Sequence, residues 1–396
     1  MPDAVIVLDG AQRSALAAVR SLGSRGIRVI AADTGATCLA ARSRHCAGHE
    51  PLPSPQDSPE RFVAAVIEAA RRVGADLILP MTDASTMLLV AAAAQSRLPD
   101  SVRIAAPGVG PYETLSDKAS LVARAGAAGI PVPRTLIARS RDELVAAATE
   151  IGFPCVLKPA RSKFRHGERL VSTTVTIARD AGELASHRAV DLLELMPSLV
   201  QEFIPGHGAG VFSMYGEQGP VAWFAHRRLR EKPPAGGVSV LCESAPVDPV
   251  MRDYAERLLS TANWFGPAMV EFRVDPDGKP WLMEINGRFW GSLQLAIDCG
   301  VDFPHLLYRL CQGEQARGPG DYVVGRRLRW LLGDLDHLLL QLRGQGTAQS
   351  FTDKLAAAGR FMNFFDSRTR LEVLRAEDLR PFRHELAKWL KDLRSG

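Results

Sequence analysis

The alternation of short apolar runs with helical patterns over the first hundred residues limits the possible folds most strongly. The run AVIVLDG is followed by the amphipathic pattern SALAAVRSLGSRG and then by a second run, IRVIAAD. The helical pattern PERFVAAVIEAARRVG leads in the same way to the strand DLILP. Helices between successive strands make those strands parallel and place the ligand-binding loops at their carboxyl ends. The sequence therefore predicts a doubly wound, Rossmann-like domain over residues 1–110.

Composition and motifs exclude several classes of partner. The first turn reads DGAQRSA and lacks the GxGxxG motif, which argues against a nicotinamide dinucleotide. A formal charge of +4 over 396 residues, with no concentrated basic run, gives no reason to expect nucleic acid binding. No stretch approaches the ~20 apolar residues of a membrane span. The six cysteines form no CxxC pair, and these features together predict a cytoplasmic protein with reduced thiols.

The chain is too long for one ordinary core, and its character changes twice after the first domain. Residues 111–200 combine helical patterns with the strand PCVLKPA, whereas residues 201–325 are rich in strands and contain the hairpin signal DPDG. Residues 326–396 have mainly helical patterns, with a helix expected over 326–344. The predicted fold class is therefore α/β for the first domain and α+β for the next two segments, followed by a helical C-terminal extension.

The segment WLMEINGRFW, residues 281–290, begins as a buried strand but then carries polar residues at alternate positions. These are Glu284, Asn286 and Arg288, and alternate side chains of a strand share one face. The run AMVEFRV before the DPDG turn contributes Glu271. Two carboxylates and an amide are oxygen ligands suited to a hard cation such as Mg²⁺. We interpret this face as a metal-binding surface, and the alternative is a solvated outer face of the sheet.

The register of this hairpin decides whether the two glutamates meet. A four-residue loop places Val274 opposite Lys279 and Glu271 opposite Leu282, which makes Glu284 the diagonal neighbour of Glu271. Diagonal neighbours on one face lie ~7–8 Å apart, so both carboxylates can reach one ion. A shift of one residue would turn one glutamate to the other face.

Two lysines precede the hairpin in a chain that contains 8 Lys and 40 Arg. Lys158 follows the apolar strand in PCVLKPA, and Lys118 begins a helix in LSDKASL. A compact ammonium is a good partner for phosphate oxygens, whereas a solvated position at the end of the strand is the alternative for Lys158. Near the first sheet, Thr82 and Asp83 follow DLILP at the predicted ligand edge, where they either select a substrate or cap the next helix.

In this order and spacing, the motifs resemble those of the ATP-grasp superfamily. The similarity covers residues 1–310: a Rossmann-like domain, the two lysines, VQEFIPG, and the paired acids of VEFRV and MEINGRFWGS. It is strongest to the carboxylate-amine ligases and extends to the large chain of carbamoyl-phosphate synthase. The resemblance implies that ATP is held between a small subdomain, residues 111–200, and a large subdomain, residues 201–325. It also implies one or two Mg²⁺ ions, for which Mn²⁺ can substitute.

The resemblance implies roles of three kinds for individual residues. The two lysines, the loop ARSKFRHGERL and the hinge QEFIPGH would contact ATP, although this loop has fewer glycines than the phosphate-covering loop of the family. The hairpin would hold the metal, and arginines would stabilise the transferred phosphate. The implied residues are Lys118, Lys158, Ser162, Glu202, Phe203, Ile204 and His207 for ATP, Glu271, Glu284 and Asn286 for the metal, and Arg288 with Arg227 or Arg228 for catalysis.

The reaction that the resemblance implies joins a small-molecule carboxylate to an amine through an acyl phosphate. The alternatives are an ATP-grasp phosphotransferase or carboxylating enzyme, and a non-catalytic nucleotide-binding protein, which the glycine-poor loop would suit. Beyond residue 325, Arg326 and Arg329 either enter a substrate pocket or are solvated. The apolar stripe of the tail either packs on the large subdomain or forms a homodimer contact.

Overall fold

The computed structural model describes residues 4–185, 193–234, 237–345, 350–363 and 366–395. The first part of the chain forms a parallel sheet with helices packed on both faces. Its strands are β1 (Ala4–Val7), β2 (Val29–Asp33), β3 (Gly48–Pro51), β4 (Ala75–Leu79) and β5 (Arg103–Ile104), and its helices are α1 (Arg13–Gly23), α2 (Pro59–Val73) and α3 (Asp83–Ala94).

The order of strands in this sheet is β3-β2-β1-β4-β5. The strands β2 and β3 therefore lie on one side of β1, and β4 and β5 lie on the other. All of β1 is buried, with Val5 and Val7 in the core that includes α1, and Ala4 and Ile6 in the core that includes α2. A parallel strand buried on both faces requires a continuous apolar run such as AVIV. The strand order reverses between β1 and β4, and sheets of this kind bind ligands at the carboxyl ends of the strands at such a point. The prediction of a Rossmann-like domain is confirmed.

An antiparallel sheet follows the first domain, after the helices α4 (Val109–Ser116) and α5 (Lys118–Ala127). Leu144 and Ala148 lie on a helix that packs against this sheet, and they share a core with Leu157 and Val200 of its strands. The elements are β6 (Thr135–Ala138), α6 (Arg141–Ile151), β7 (Cys155–Pro159), β8 (Lys163–His166), β9 (Arg169–Ser172), β10 (Thr176–Ala178), α7 (Ala181–Ala185) and β11 (Ser198–Glu202). The sheet has the order β10-β7-β11-β6, and β8 and β9 form a separate hairpin.

A larger sheet occupies the second half of the chain. Phe212 and Phe224 on one face pack with the first domain, whereas Val270 and Phe272 on the other face pack with a helix that follows β14. The elements are β12 (His207–Gly216), β13 (Gly219–Lys232), β14 (Val238–Ala245), α8 (Pro249–Thr261), β15 (Gly266–Val274), β16 (Pro280–Asn286), α9 (Leu293–Asp298), α10 (Phe303–Cys311), β17 (Arg327–Arg329), α11 (Leu331–Leu342), α12 (Phe351–Phe361), β18 (Thr369–Leu371) and α13 (Arg380–Ser395). The order of strands is β16-β15-β12-β13-β14-β17-β18.

The C-terminal extension is helical for most of its length but also lengthens this sheet. The predicted helix over 326–344 is correct from Leu331 onward and wrong for Arg327–Arg329, which form a strand beside β14. Leu328 is buried in the core of the sheet, and the side chain of Arg329 is 2% exposed because it pairs with Asp334. Arg329 is therefore neither solvated nor in a substrate pocket but forms a buried ion pair with Asp334. A helical pattern in the sequence does not indicate such a pair.

The predicted register of the β15–β16 hairpin is wrong by one residue at the turn. Val274 pairs with Pro280 rather than with Lys279, so the loop has one residue more than expected. An irregularity in the ladder then makes Glu271 pair with Glu284. The extra residue in β16 is Met283, which forms a β-bulge and changes the phase of the strand. The longer turn by itself would put the two glutamates on opposite faces of the hairpin. The bulge offsets this shift by one residue, so both glutamates lie on the same face.

Two further expectations concern the chain as a whole. Within the described ranges, no helix is long and apolar enough to cross a membrane. The six cysteine thiols are free, and all except that of Cys46 are buried. A cytoplasmic location stays a prediction.

Candidate active site

Asn286 joins the two glutamates of the hairpin. Its Nδ2 atom donates hydrogen bonds to Oε1 of Glu271 at 3.1 Å and to Oε1 of Glu284 at 3.0 Å. The bulge makes this possible, since Leu282 is buried on the other face only two positions before Glu284. The structure thus brings together the three side chains that the sequence analysis selected as metal ligands.

The two carboxylates lie close enough together to affect each other's charge. Burial, followed by the neighbouring Glu284 carboxylate, raises the pKa of Glu271 to about 7, although Arg228, Arg288 and Lys158 act in the opposite direction. No group of three or more His, Cys, Asp or Glu that could hold a metal occurs in the described part of the chain. Two carboxylates with one amide nevertheless fit Mg²⁺, which keeps several waters and takes further oxygens from phosphates.

Lys118 lies beside the carboxylate cluster, which we define as Glu271, Glu284 and Asn286. It is the first residue of α5, where Asp117 caps the helix by accepting a hydrogen bond from the Ser120 backbone. Its Nζ atom lies 4.0 Å from Oε2 of Glu284 and donates a hydrogen bond of 2.7 Å to Oγ of Ser162. The lysine is only 5% exposed, so its charge acts on a small, partly enclosed space.

Lys158 approaches the same cluster from β7. Burial lowers the pKa of this lysine to about 8, although the Glu284 carboxylate acts in the opposite direction. Its Nζ atom lies 3.7 Å from the sulfur of Met283, the bulged residue of β16. A thioether is a weak acceptor, so among the residues that the structure describes this buried ammonium has only a weak hydrogen-bond partner. An anion such as a phosphate would stabilise its charged form.

The adjacent arginines of β13 lie on opposite faces of the sheet. Nη2 of Arg228 lies 3.5 Å from Oε2 of Glu271, and its side chain is 32% exposed. Arg227 is 66% exposed and instead pairs with Glu243 of the neighbouring strand. The structure therefore brings Arg228 to the cluster and leaves Arg227 away from it, as alternation along a strand requires.

Arg288 connects the cluster to the first domain. Its Nε and Nη2 atoms donate hydrogen bonds to the two oxygens of Asp83 at 3.2 and 3.3 Å, and Nη2 lies 3.4 Å from Oδ1 of Asn286. Thr82, not Asp83, is the residue whose side chain caps α3. Asp83 thus contacts the cluster through Arg288, and its position after β4 at the edge of the sheet was the signal for it in the sequence.

The hinge QEFIPGH, which is predicted to contact ATP, runs from the end of β11 to the start of β12. The exposed Glu202 accepts a hydrogen bond of 3.4 Å from the backbone of Arg134. Arg273 lies 6.0 Å from the ring of Phe203 and donates a hydrogen bond of 3.1 Å to the carbonyl of Ile204. His207 is the exposed first residue of β12. Their contact with a nucleotide stays a prediction.

Sequence comparisons identify the family. A model described as "ATP-grasp in the biosynthetic pathway with Ter operon" matches residues 194–331, which include the whole β15–β16 hairpin. A D-alanine–D-alanine ligase of Gloeobacter violaceus is 28% identical over 200 residues, which are 46% of this chain and 64% of that protein. Residues 194–331 therefore belong to the ATP-grasp superfamily.

Another similar protein is the uncharacterized protein y4rH of Sinorhizobium fredii. It is 32% identical over 263 residues, which are 60% of this chain and 51% of that protein. The chain thus spans about half to two thirds of the length of these two relatives.

Solved structures support the ATP-grasp fold. Biotin carboxylase from Campylobacter jejuni, in a complex with an ATP analogue, has a TM-score of 0.63 and 17% identity, covering 82% of this chain and 74% of that one. The L-amino acid ligase from Bacillus licheniformis has a TM-score of 0.60 and 16% identity, covering 83% of this chain and 79% of that one. At these identities the likeness concerns the fold alone.

Proposed function

We propose that this protein is an ATP- and Mg²⁺-dependent ligase that joins a carboxylate to an amine through an acyl phosphate. The observation that carries the proposal is the Asn286 amide bonded to both Glu271 and Glu284, with cationic side chains on several sides of them. Acidic oxygens surrounded by lysine and arginine suit a metal-bound nucleotide that transfers phosphate. Similarity to a D-alanine–D-alanine ligase supports the formation of an amide bond.

The residues that would hold Mg²⁺ are Glu271, Glu284 and Asn286. A bound Mg²⁺ would neutralise charge on the phosphate oxygens and on the paired carboxylates. Deprotonation of Glu271 would precede binding, because ligating carboxylates must be ionised. Asn286 would hold the two carboxylates in place, since its amide contacts both.

In the first half of the proposed reaction, a carboxylate oxygen of the substrate forms a bond to the γ-phosphorus of ATP. The bond between that phosphorus and the oxygen bridging to the β-phosphate breaks, and ADP leaves with the electron pair. Lys118 and Lys158 would bind the phosphate oxygens as compact cations on one side. Arg228 and Arg288 would bind the transferred group from the other, with the fixed fork of a guanidinium. Positioning and charge neutralisation are what phosphoryl transfer requires of a protein.

In the second half, the amine nitrogen attacks the acyl carbon with its lone pair. The bond from that carbon to the phosphate oxygen breaks, inorganic phosphate leaves, and the nitrogen releases a proton to solvent. Arg288 would stabilise the negative charge that develops on the acyl oxygen. No side chain of the protein is required as a nucleophile.

The test uses hydroxylamine, a small amine that converts acyl phosphates into hydroxamates whatever the natural amine is. The purified protein is incubated with ATP, Mg²⁺ and a panel of carboxylates, and ADP and hydroxamate are measured together. A ligase gives hydroxamate in step with ADP. A phosphotransferase gives a stable phosphorylated product without amine, and a carboxylating enzyme requires bicarbonate. If ADP forms with no carboxylate-dependent hydroxamate, the ligase proposal is wrong.

A further inference from the structure

A cavity of about 450 Å³ lies between β13 and the helices α11 and α12 of the C-terminal extension. This volume is within the range of sites that hold small molecules. Its walls include apolar side chains of Leu241, Leu338 and Ala357 and the charged side chains of Arg228 and Arg360. The C-terminal extension therefore adds a chamber with both apolar and cationic walls to the ATP-grasp core.

Arg228 connects this cavity to the carboxylate cluster. Its Nη1 atom donates a hydrogen bond of 3.0 Å to Oε1 of Glu231, which also lines the cavity. Its Nη2 atom lies 3.5 Å from Oε2 of Glu271. One guanidinium thus contacts both a wall of the cavity and a candidate metal ligand. Arg228 is therefore the side chain that connects the cavity with the carboxylate cluster.

Several other charges of the cavity are already neutralised within the protein. The Oδ2 atom of Asp334 accepts a hydrogen bond of 2.8 Å from Arg230 and one of 2.6 Å from Arg329. Arg230 also lies 3.4 Å from the backbone carbonyl of Arg360, and Arg329 donates a 2.6 Å hydrogen bond to the carbonyl of Phe361. These arginines satisfy carbonyls of the last turn of α12, as cations at a helix C-terminus do. They fix the backbone that carries Arg360.

The Arg360 side chain is exposed and lines the cavity, and no acidic residue within the described ranges forms an ion pair with it. The neighbouring residues 346–349 and 364–365, which lie outside those ranges, contain no Asp or Glu in their sequence. The cavity therefore has at Arg360 an arginine available for an anion, whereas Arg228 also contacts Glu231 and Glu271.

We propose that this cavity binds the carboxylate substrate, and that this substrate carries a second anionic group that Arg360 recognises. The inference rests on the proposed ligase function. The reactive carboxylate would lie at Arg228, the carbon chain against Leu241, Leu338 and Ala357, and the second carboxylate or phosphate at Arg360. A substrate without the second group would leave the Arg360 charge without a partner and bind less tightly.

The experiment measures binding separately from catalysis. Glutarate and adipate serve as dicarboxylates, 3-phosphoglycerate as an acid with a phosphate, and valerate as a monocarboxylate close in length to glutarate. Each is titrated in the presence of Mg²⁺ and ADP while the melting temperature is followed, since a ligand of the native state raises it. We expect one of the doubly anionic acids to bind at least about tenfold more tightly than valerate.

Three variants assign that preference to a residue. Arg360→Glu should abolish the preference, Arg360→Lys should keep part of it, and Arg343→Glu, an exposed charge reversal outside the cavity, should leave it unchanged. Equal binding of all four acids, or a preference that survives Arg360→Glu, overturns the inference. If binding depends on Arg360 but no hydroxamate forms, the cavity assignment stands and the ligase proposal fails.

Discussion

Glu271 and Glu284 pair directly across the hairpin, although the length of the turn alone would place Met283 opposite Glu271. The bulge at Met283 advances β16 by one residue, so Leu282 and Glu284 point to opposite faces despite being two positions apart. The same strand thereby supplies apolar side chains to the core and carboxylates to the site. The candidate metal site thus depends on a local irregularity in the ladder.

The first prediction concerns the carboxylate pair. Glu284→Gln removes one negative charge and one strong oxygen ligand, so we expect ATP turnover to fall by about 10²-fold or more while the fold is kept. Turnover and the stabilisation by Mg²⁺ with ADP are measured together. The matched control is Glu217→Gln, in an exposed turn of the large sheet, which should change neither quantity. A Glu284→Gln protein with normal turnover would contradict the metal assignment.

The second prediction concerns pH. Burial raises the pKa of Glu271 to about 7, so below that pH the carboxyl group is protonated and cannot bind a cation well. We expect Mg²⁺ with ADP to raise the melting temperature more at about pH 8 than at about pH 6. Glu271→Gln should remove most of this difference. An equal shift at both pH values would show that Glu271 does not control metal binding.

The third prediction separates the adjacent arginines of β13. Arg228 contacts Glu271, whereas Arg227 pairs with Glu243 on the other face. We expect Arg228→Ala to lower kcat by about 10²-fold, and Arg227→Ala to change it by less than about threefold. Steady-state kinetics with ATP and an active carboxylate measure both. A similar loss of kcat in the two variants would mean that the position of an arginine on one face of β13 does not decide whether it takes part in catalysis.

The fourth prediction separates two adjacent residues at the start of α3. Asp83 accepts hydrogen bonds from Arg288, so Asp83→Asn should lower kcat by about tenfold because it weakens the support that orients the guanidinium. Thr82 caps the helix, so Thr82→Ala should cost about 1 kcal/mol of unfolding free energy and leave kcat nearly unchanged. Urea unfolding and kinetics on both variants are the measurements. A loss of stability without a loss of kcat in Asp83→Asn would refute its positioning role.

The fifth prediction concerns stability at the C-terminus. Burial raises the pKa of Glu385 to about 7, above its value of ~4.3 in an unfolded chain. The neutral acid is therefore favoured in the fold, and this stability is fully present below about pH 4 and is lost as the pH rises through about 7. We expect Glu385→Gln to raise the melting temperature by about 2 °C or more at about pH 8, with little change at about pH 5. Glu377→Gln, at an exposed glutamate nearby, is the control.

Much of the fold could be predicted because its signals are local. The run AVIV forms a strand buried on both faces, and the pattern PERFVAAVIEAARRV forms the helix α2. The strand Arg327–Arg329 was missed because three residues of alternating pattern at the start of a helical pattern are too few to indicate a strand. Pairing with β14, a partner distant in sequence, decides that conformation.

The sequence by itself determined which residue types are available for the chemistry: two hairpin acids with an amide, one lysine after an apolar strand and another at the start of a helix, and arginines at alternate and adjacent strand positions. Only the tertiary structure decided which of them meet. The bulge at Met283, the face that Arg228 takes and the contact of Asp83 with Arg288 all depend on register and on the packing of segments far apart in the chain. Side-chain type is local information, whereas the distance between side chains depends on the whole fold.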